Sequence, residues 1–235
     1  MIEAEWWEHD DADALAEAVS GDIGFIIESA LDARAACLLA LSGGKTPIAA
    51  YEKLAQQKLD WKRVTIVPVD DRLVPVSDAL SNVGMLAKIF LPKGARVVPL
   101  GAENADVKGA GNAADARLQD LKWPPDLVLL GVGTDGHTAS ILPGPDMESA
   151  LDAPKTRRAV GVTPDPLPPE APVARVTMTR AAILQARALM LVLTGDAKRE
   201  LVEQAIEDGA GSKLPIGRVL AEAEQPIDIH WGPQA

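Results

Sequence analysis

Of the three histidines in the chain, His137 alone stands where a proton-transfer group would be useful. It lies in Gly131-Val132-Gly133-Thr134-Asp135-Gly136-His137-Thr138-Ala139-Ser140, directly after the aliphatic run Leu127-Val128-Leu129-Leu130. Imidazole, with an ordinary pKa of about 6.5, is the side chain suited to take up and return a proton near neutrality. A histidine in general is more often a satisfied packing residue, but a glycine-rich loop at a strand end favours a chemical role. His9 and His230 lie near the chain ends beside tryptophans, where packing or exposure is the default. Gly131, Gly133 and Gly136 also match G-x-G-x-x-G. That fingerprint must open a long helix. Here Pro143-Gly144-Pro145 closes the segment, so a dinucleotide site is rejected.

Two further junctions carry polar groups. In Leu41-Ser42-Gly43-Gly44-Lys45-Thr46-Pro47, two glycines follow an apolar run and a Thr-Pro pair opens a helical pattern. Backbone N–H groups in such a loop can approach an anion, and a helix N-terminus adds positive potential. The bland alternative is a tight turn that merely reverses the chain. The Gly-Lys-Thr triplet is not a P-loop, because Leu39 stands where its first glycine would be. In Asp70-Asp71-Arg72-Leu73-Val74-Pro75, two carboxylates and an arginine follow another strand pattern. They read either as a solvated ion-pair cluster or as an arginine fork reaching toward the same anion. The histidines are far apart, Cys37 is the single cysteine, and no H-x-x-x-H, C-x-x-C or G-x-S-x-G spacing occurs. The expectation is therefore no metal, no cofactor and water as the nucleophile.

These loops need a scaffold that places strand ends side by side. Short apolar runs alternate with amphipathic stretches, the pattern of an α/β protein with parallel strands and crossover helices. Strands are expected at Ala35–Leu41, Val64–Val69 and Asp126–Val132, with weaker patterns at Arg96–Leu100, Thr156–Val162 and Ala188–Leu193. Helices are expected at Asp11–Ala33, Pro47–Gln57, Asn82–Phe90, Ala105–Leu121, Ala181–Gln185 and Asp196–Glu207. The proline-rich stretch Thr163–Pro172 reads as a rigid surface loop. A length of 235 residues suits a single domain over 1–235. Aromatics are only 3%, so the core is expected to be aliphatic, with Cys37 as a buried structural thiol. The 23 Lys and Arg against 34 Asp and Glu give a net charge of -11, which argues against nucleic acid as a partner. No apolar stretch reaches the roughly 18 residues a bilayer span requires, and the acidic start lacks a signal-peptide pattern, so a cytoplasmic protein without membrane association is expected.

The same residues carry a resemblance to a known family. Ser42-Gly43-Gly44-Lys45-Thr46-Pro47, Asp70-Asp71-Arg72-Leu73-Val74-Pro75 with Ser81-Asn82, the Asp135-Gly136-His137 loop, Arg175-Val176-Thr177-Met178-Thr179 and Thr194-Gly195-Asp196-Ala197-Lys198 occur in the family's order. The chain resembles the glucosamine-6-phosphate isomerase/6-phosphogluconolactonase family, on its lactonase side. The family usually has glutamate where Asp71 stands, a change that keeps the charge beside Arg72. The resemblance implies a doubly wound, mostly parallel sheet with helices on both faces, of the sugar-phosphate isomerase/deaminase kind. It implies a carboxylic ester hydrolase of the oxidative pentose phosphate pathway, acting on a small phosphorylated sugar lactone; a monomer is the expectation for the chain, though its sequence does not fix the oligomeric state. His137 would be the general base, with Asp135 or Asp70 orienting the imidazole or the water. Ser42, Gly43, Gly44, Lys45, Thr46, Arg72, Arg175 and Lys198 would bind substrate, and donors of the Gly131–Gly136 loop would stabilise the oxyanion. Two alternatives stand beside it. Deaminases of the family resemble the chain in the first loop, but they place a glutamate before a proline and a tyrosine after the acidic pair, where Leu142 and Arg72 stand here. A non-catalytic sugar-phosphate sensor would need a DNA-binding segment, which the acidic stretch Glu3–Glu17 does not supply.

Overall fold

The structure is a computed structural model that describes residues 2–101 and 106–234. The elements run β1 (Ala4–Glu8), α1 (Ala12–Arg34), β2 (Cys37–Leu41), α2 (Ile48–Leu54), β3 (Val64–Pro68), β4 (Asp70–Arg72), α3 (Asn82–Phe90), β5 (Arg96–Val97) and α4 (Val107–Gln119). They continue with β6 (Leu127–Leu130), α5 (Met147–Leu151), β7 (Ala159–Val162), β8 (Arg175–Met178), α6 (Arg180–Leu184), β9 (Ala188–Thr194), α7 (Asp196–Asp208), α8 (Pro215–Leu220) and β10 (Ile227–Gly232). The expected helix start at Ala105 lies outside the described residues.

Seven strands form one parallel sheet in the order β1-β10-β9-β6-β2-β3-β5. Alternation along each strand sends side chains to two different cores. Cys37, Leu39 and Leu41 of β2, with Leu127 and Leu129 of β6, meet α1, α2 and α3 on one face. Leu38, Ala40, Val128 and Leu130 meet α4 to α8 on the other. The helices supply matching stripes: α1 buries Leu15, Val19, Ile23, Ile27 and Leu31 at near-helical spacing. Its start is capped by Asp11, which accepts from the N–H of Ala14 at 2.8 Å. Its last turn is closed by Arg63, which donates to the carbonyls of Leu31 and Ala35. Truncating a fully buried side chain such as Leu39 is a change that typically costs about 2–5 kcal/mol. The core is mostly aliphatic as expected, except for a buried cluster of Tyr51, Trp61 and Phe90. Cys37 is buried, and burial followed by the nearby Asp126 carboxylate pushes its thiol well above the usual range.

A small antiparallel sheet, β4-β8-β7, packs against the second core. It corrects two expectations. The stretch Thr156–Val162 is strand only from Ala159 and pairs here, outside the parallel sheet. Asp70–Arg72 is a strand of three charged residues rather than a loop. Val69 joins the sheets: its N–H donates to the Leu41 carbonyl at 3.0 Å, and its own carbonyl accepts from Met178 at 2.8 Å. The segment from Thr163 to Pro172 is largely exposed loop.

From β2 the chain winds outward to β3 and β5 with α2 and α3 on one face. From β6 it winds the other way to β9 and β10 with its helices on the opposite face. The loops after β2 and β6 therefore diverge, which opens a crevice at the C-terminal ends of the strands. No helix is long and apolar enough to cross a membrane among the described residues.

Candidate active site

The crevice is a cavity of about 240 Å3. Its wall includes Ser42, Gly43, Gly44, Lys45 and Thr46 from the loop after β2, Asp70 and Arg72 from β4, His137 from the loop after β6, Arg175 from β8 and Lys198 from α7. Thus ten of the eleven residues expected from the sequence share one wall, and Asp135 stands behind His137.

The first loop is held from below and from the side. The Tyr51 hydroxyl, fully buried, donates to the Ser42 carbonyl at 3.0 Å. Gly43 lies so close to Asn82 that a Cβ would come within 1.9 Å of the Asn82 side-chain oxygen, so only glycine fits. The Ser42 hydroxyl is buried and has no hydrogen-bond partner among the described residues. Helix α2 spans only seven residues, from Ile48 to Leu54, so the helix dipole expected here is short and the loop's own donors matter more.

Beside it, Asp71 fixes the second loop. Its carboxylate accepts from the N–H of Asn82 at 2.7 Å, of Arg72 at 2.9 Å and of Val83 at 3.2 Å. Burial lifts its pKa to about 6, with the Asp70 charge adding and the backbone donors opposing. Asn82 then donates to the Asp70 backbone carbonyl at 2.8 Å and its carboxylate at 3.3 Å. The other oxygen of Asp70 accepts from Ser140 at 2.5 Å.

Arg72 and Arg175 face one another across the β4–β8 ladder. Arg72 donates to the Leu80 carbonyl and the Asn82 side chain, and Arg175 to the Ala171 carbonyl. Each leaves a buried Nε–H without an acceptor among the described residues. Burial, and then the neighbouring Arg72 charge, lower the Arg175 pKa, while Asp70, Glu170 and Asp135 oppose this. Burial also lowers that of Lys198. Two juxtaposed guanidiniums with idle buried donors are costly unless an anion completes them.

The third loop presents His137. Its Nδ1 lies 2.5 Å from the Asp135 carboxylate, which also accepts the His137 backbone N–H at 3.1 Å. This contact to His137 lowers the Asp135 pKa to about 2, against partial burial. An ionised Asp135 accepts a hydrogen bond from Nδ1–H, which keeps the proton on that nitrogen and leaves the lone pair on Nε2. Gly133 makes room: a Cβ there would sit 2.2 Å from the imidazole. Within the Gly131–Gly136 loop, the N–H of Gly133 bonds the His137 carbonyl and that of Gly136 bonds the Gly133 carbonyl, so these two are committed inside the turn. The helix that follows, α5, has five residues and begins at Met147, unlike a dinucleotide fold.

Asn82, Ser140 and Thr177 organise the site without having been singled out as site residues. Thr177 accepts the Ser140 N–H at 3.2 Å. The signal for Asn82 was its place after Ser81 at the start of a helix; Ser81 caps α3, and Asn82 turns back toward Asp70. His230 is buried and stacks on His9, a packing arrangement. Among the described residues no group of three or more His, Cys, Asp or Glu could hold a metal ion.

Fold and cleft together define an α/β protein with a cluster of cationic side chains and a histidine beside it, at a strand-end crevice. Residues 10–231 match the family described as glucosamine-6-phosphate isomerases/6-phosphogluconolactonase, and the chain belongs to it. A 6-phosphogluconolactonase of Rhizobium meliloti is 39% identical over 224 residues, covering 94% of this chain and 95% of that protein. One of Pseudomonas putida is 36% identical, covering 95% and 90%. The crystal structure of a 6-phosphogluconolactonase from Shewanella baltica superposes with a TM-score of 0.89 at 30% identity, covering 99% of both chains.

Proposed function

We propose that this chain hydrolyses 6-phospho-D-glucono-1,5-lactone to 6-phospho-D-gluconate, the lactone-opening step of the oxidative pentose phosphate pathway. It does so as a monomeric, cytoplasmic, single-domain enzyme over residues 1–235. The observation that carries the reading is the pairing of two features in one cleft: the idle buried donors of Arg72 and Arg175, and the His137–Asp135 pair. Relatives named 6-phosphogluconolactonase at 36–39% identity support the same substrate.

In this mechanism Arg72, Arg175, Lys198 and the Ser42–Thr46 loop bind the phosphate. Anchoring the non-reacting phosphate turns remote binding energy into orientation of the lactone carbonyl. Asp135 holds His137 with Nε2 toward the cleft. Water attacks C1 while Nε2 takes its proton; the tetrahedral oxyanion then collapses, the bond from C1 to the ring oxygen breaks, and His137 returns the proton to that oxygen. Asp70, tied to Ser140 and Asn82, fixes the polar floor instead of the imidazole. A deaminase reading is disfavoured because Leu142 is a buried apolar residue where that chemistry needs an acid.

The test is the initial rate of loss of freshly generated lactone, coupled to an NADP-dependent 6-phosphogluconate dehydrogenase, with EDTA in one arm. His137→Asn is expected to lower kcat by roughly 10²–10⁴-fold with KM largely kept. Near-normal turnover in the variant would refute the role of His137. No acceleration over buffer by the wild type would refute the lactonase reading, and binding without turnover would favour the sensor.

A further inference from the structure

A second cavity, of about 480 Å3, opens at the opposite end of the sheet, among the N-terminal ends of β2, β3, β5, β6 and the approach to β9. Its lining holds Arg34, Lys62, Arg63, Arg96, Lys122 and Arg187 against only Asp120 and Asp126. Six of the chain's 23 cations thus gather around one hollow in a protein of net charge -11. Such a concentration, in a chain of negative net charge, focuses an attractive potential for anions at this point.

The floor of the cavity is built. Asp126 is buried and accepts the N–H of Leu38 at 2.9 Å and the Arg34 guanidinium at 2.6 Å, with Arg187 at 3.5 Å. Arg63 is committed to the end of α1. Those bonds neutralise Asp126 and fix three of the cations. Lys62, Arg96 and Lys122 remain without a carboxylate within ion-pair distance among the described residues. Trp123 forms a fixed aromatic wall: its indole N–H donates to Gln185 at 2.5 Å, and Arg158 lies over its ring at 4.2 Å.

We propose that this basin binds an anion bearing two linked phosphates, such as a nucleoside diphosphate or pyrophosphate, independently of the candidate active site. The volume lies in the range of about 300–1,000 Å3 usual for small-molecule sites. A single phosphate group brings a charge of about −1.5 to −2 at neutrality. Two linked groups better match three unpaired cations spread around a rim. The concave shape suits a small ligand rather than the face of an acidic protein.

The test is a titration of the 15N-labelled full chain with adenosine diphosphate, inorganic pyrophosphate and orthophosphate in separate arms, at low salt. Expected are saturable shifts of the Trp123 indole and of the Lys62, Thr65 and Lys122 amides with both diphosphates. Orthophosphate should bind more weakly. If pyrophosphate alone binds, the ligand is the bare diphosphate; if adenosine diphosphate binds more tightly, Trp123 contributes. The combined variant Lys62→Glu/Arg96→Glu/Lys122→Glu should lose tenfold or more in diphosphate affinity, while lactone hydrolysis stays unchanged. Shifts confined to the Gly43 and Gly133 loops, or an affinity within twofold of wild type in the charge-reversed variant, would overturn the proposal. Neither outcome depends on whether the other cleft opens lactones.

Discussion

Replacing Asp71 by asparagine tests how burial and backbone donors balance at the second loop. The carboxyl titrates at about 6 in the folded chain, against 3.8 for the free side chain. Between those values the native state binds a proton that the unfolded state has released, so stability falls as pH rises through this window and levels off above about 6. At ~1.36 kcal/mol per pH unit, the loss amounts to about 3 kcal/mol. An amide has the shape of the neutral acid and does not titrate. Asp71→Asn should therefore match the wild type within about 1 kcal/mol at pH 4 and exceed it by about 2–3 kcal/mol at pH 7.5. The gain stays below the full value because the new NH2 group faces the Val83 N–H in place of an acceptor. Urea unfolding at four pH values between 4 and 7.5, with m held common, measures this difference directly. A gap constant across the range, or one in which asparagine becomes worse as pH rises, would refute the reasoning. It would mean that the three N–H groups hold an ionised carboxylate at little cost.

Two substitutions address the cleft. Gly133→Ala puts a methyl group into the space of the His137 imidazole, so kcat should fall by roughly 10²-fold or more while the thermal midpoint moves little; retention of half the activity would show that the ring has room to shift. Lys198→Glu should raise KM about tenfold or more with a smaller change in kcat, and an unchanged KM would remove Lys198 from the anion seat.

The aliphatic strands and long helices were legible because burial on both faces forces apolar runs and helical spacing. Helix α3 matches its expected span, and β9 extends its own by one residue. The elements missed were those whose form neighbours impose. Strand β4 is Asp-Asp-Arg and owes its conformation to β8; β10 buries the neighbours Ile229 and His230 as well as Ile227, which breaks the two-residue alternation; α5 and α8 are each about one and a half turns. In the site, residue types and order pointed to the cleft, but not to which acid serves the histidine. That depended on the turn at Gly136, which returns His137 onto Asp135, and on Ser140 reaching Asp70 from 70 residues away. The loss of the Gly133 and Gly136 amides to internal bonds was likewise invisible, because a glycine's freedom does not say what its N–H will meet.

The two ends of the strand order bear on association. Parallel sheets end in rows of unpaired backbone groups that can recruit another chain. Here one margin is β5, two residues long, too short to template a neighbour. The other is β1, whose Glu5 and Glu8 are exposed and set negative charge along that border. Behind β1 lies β10, where Ile227, Ile229 and His230 are buried. Proteolytic loss of the first nine residues would turn this apolar strand into the border. In the intact chain β1 occupies the hydrogen-bonding edge of β10, and a second copy approaching the remaining border would meet like charge at Glu5 and Glu8.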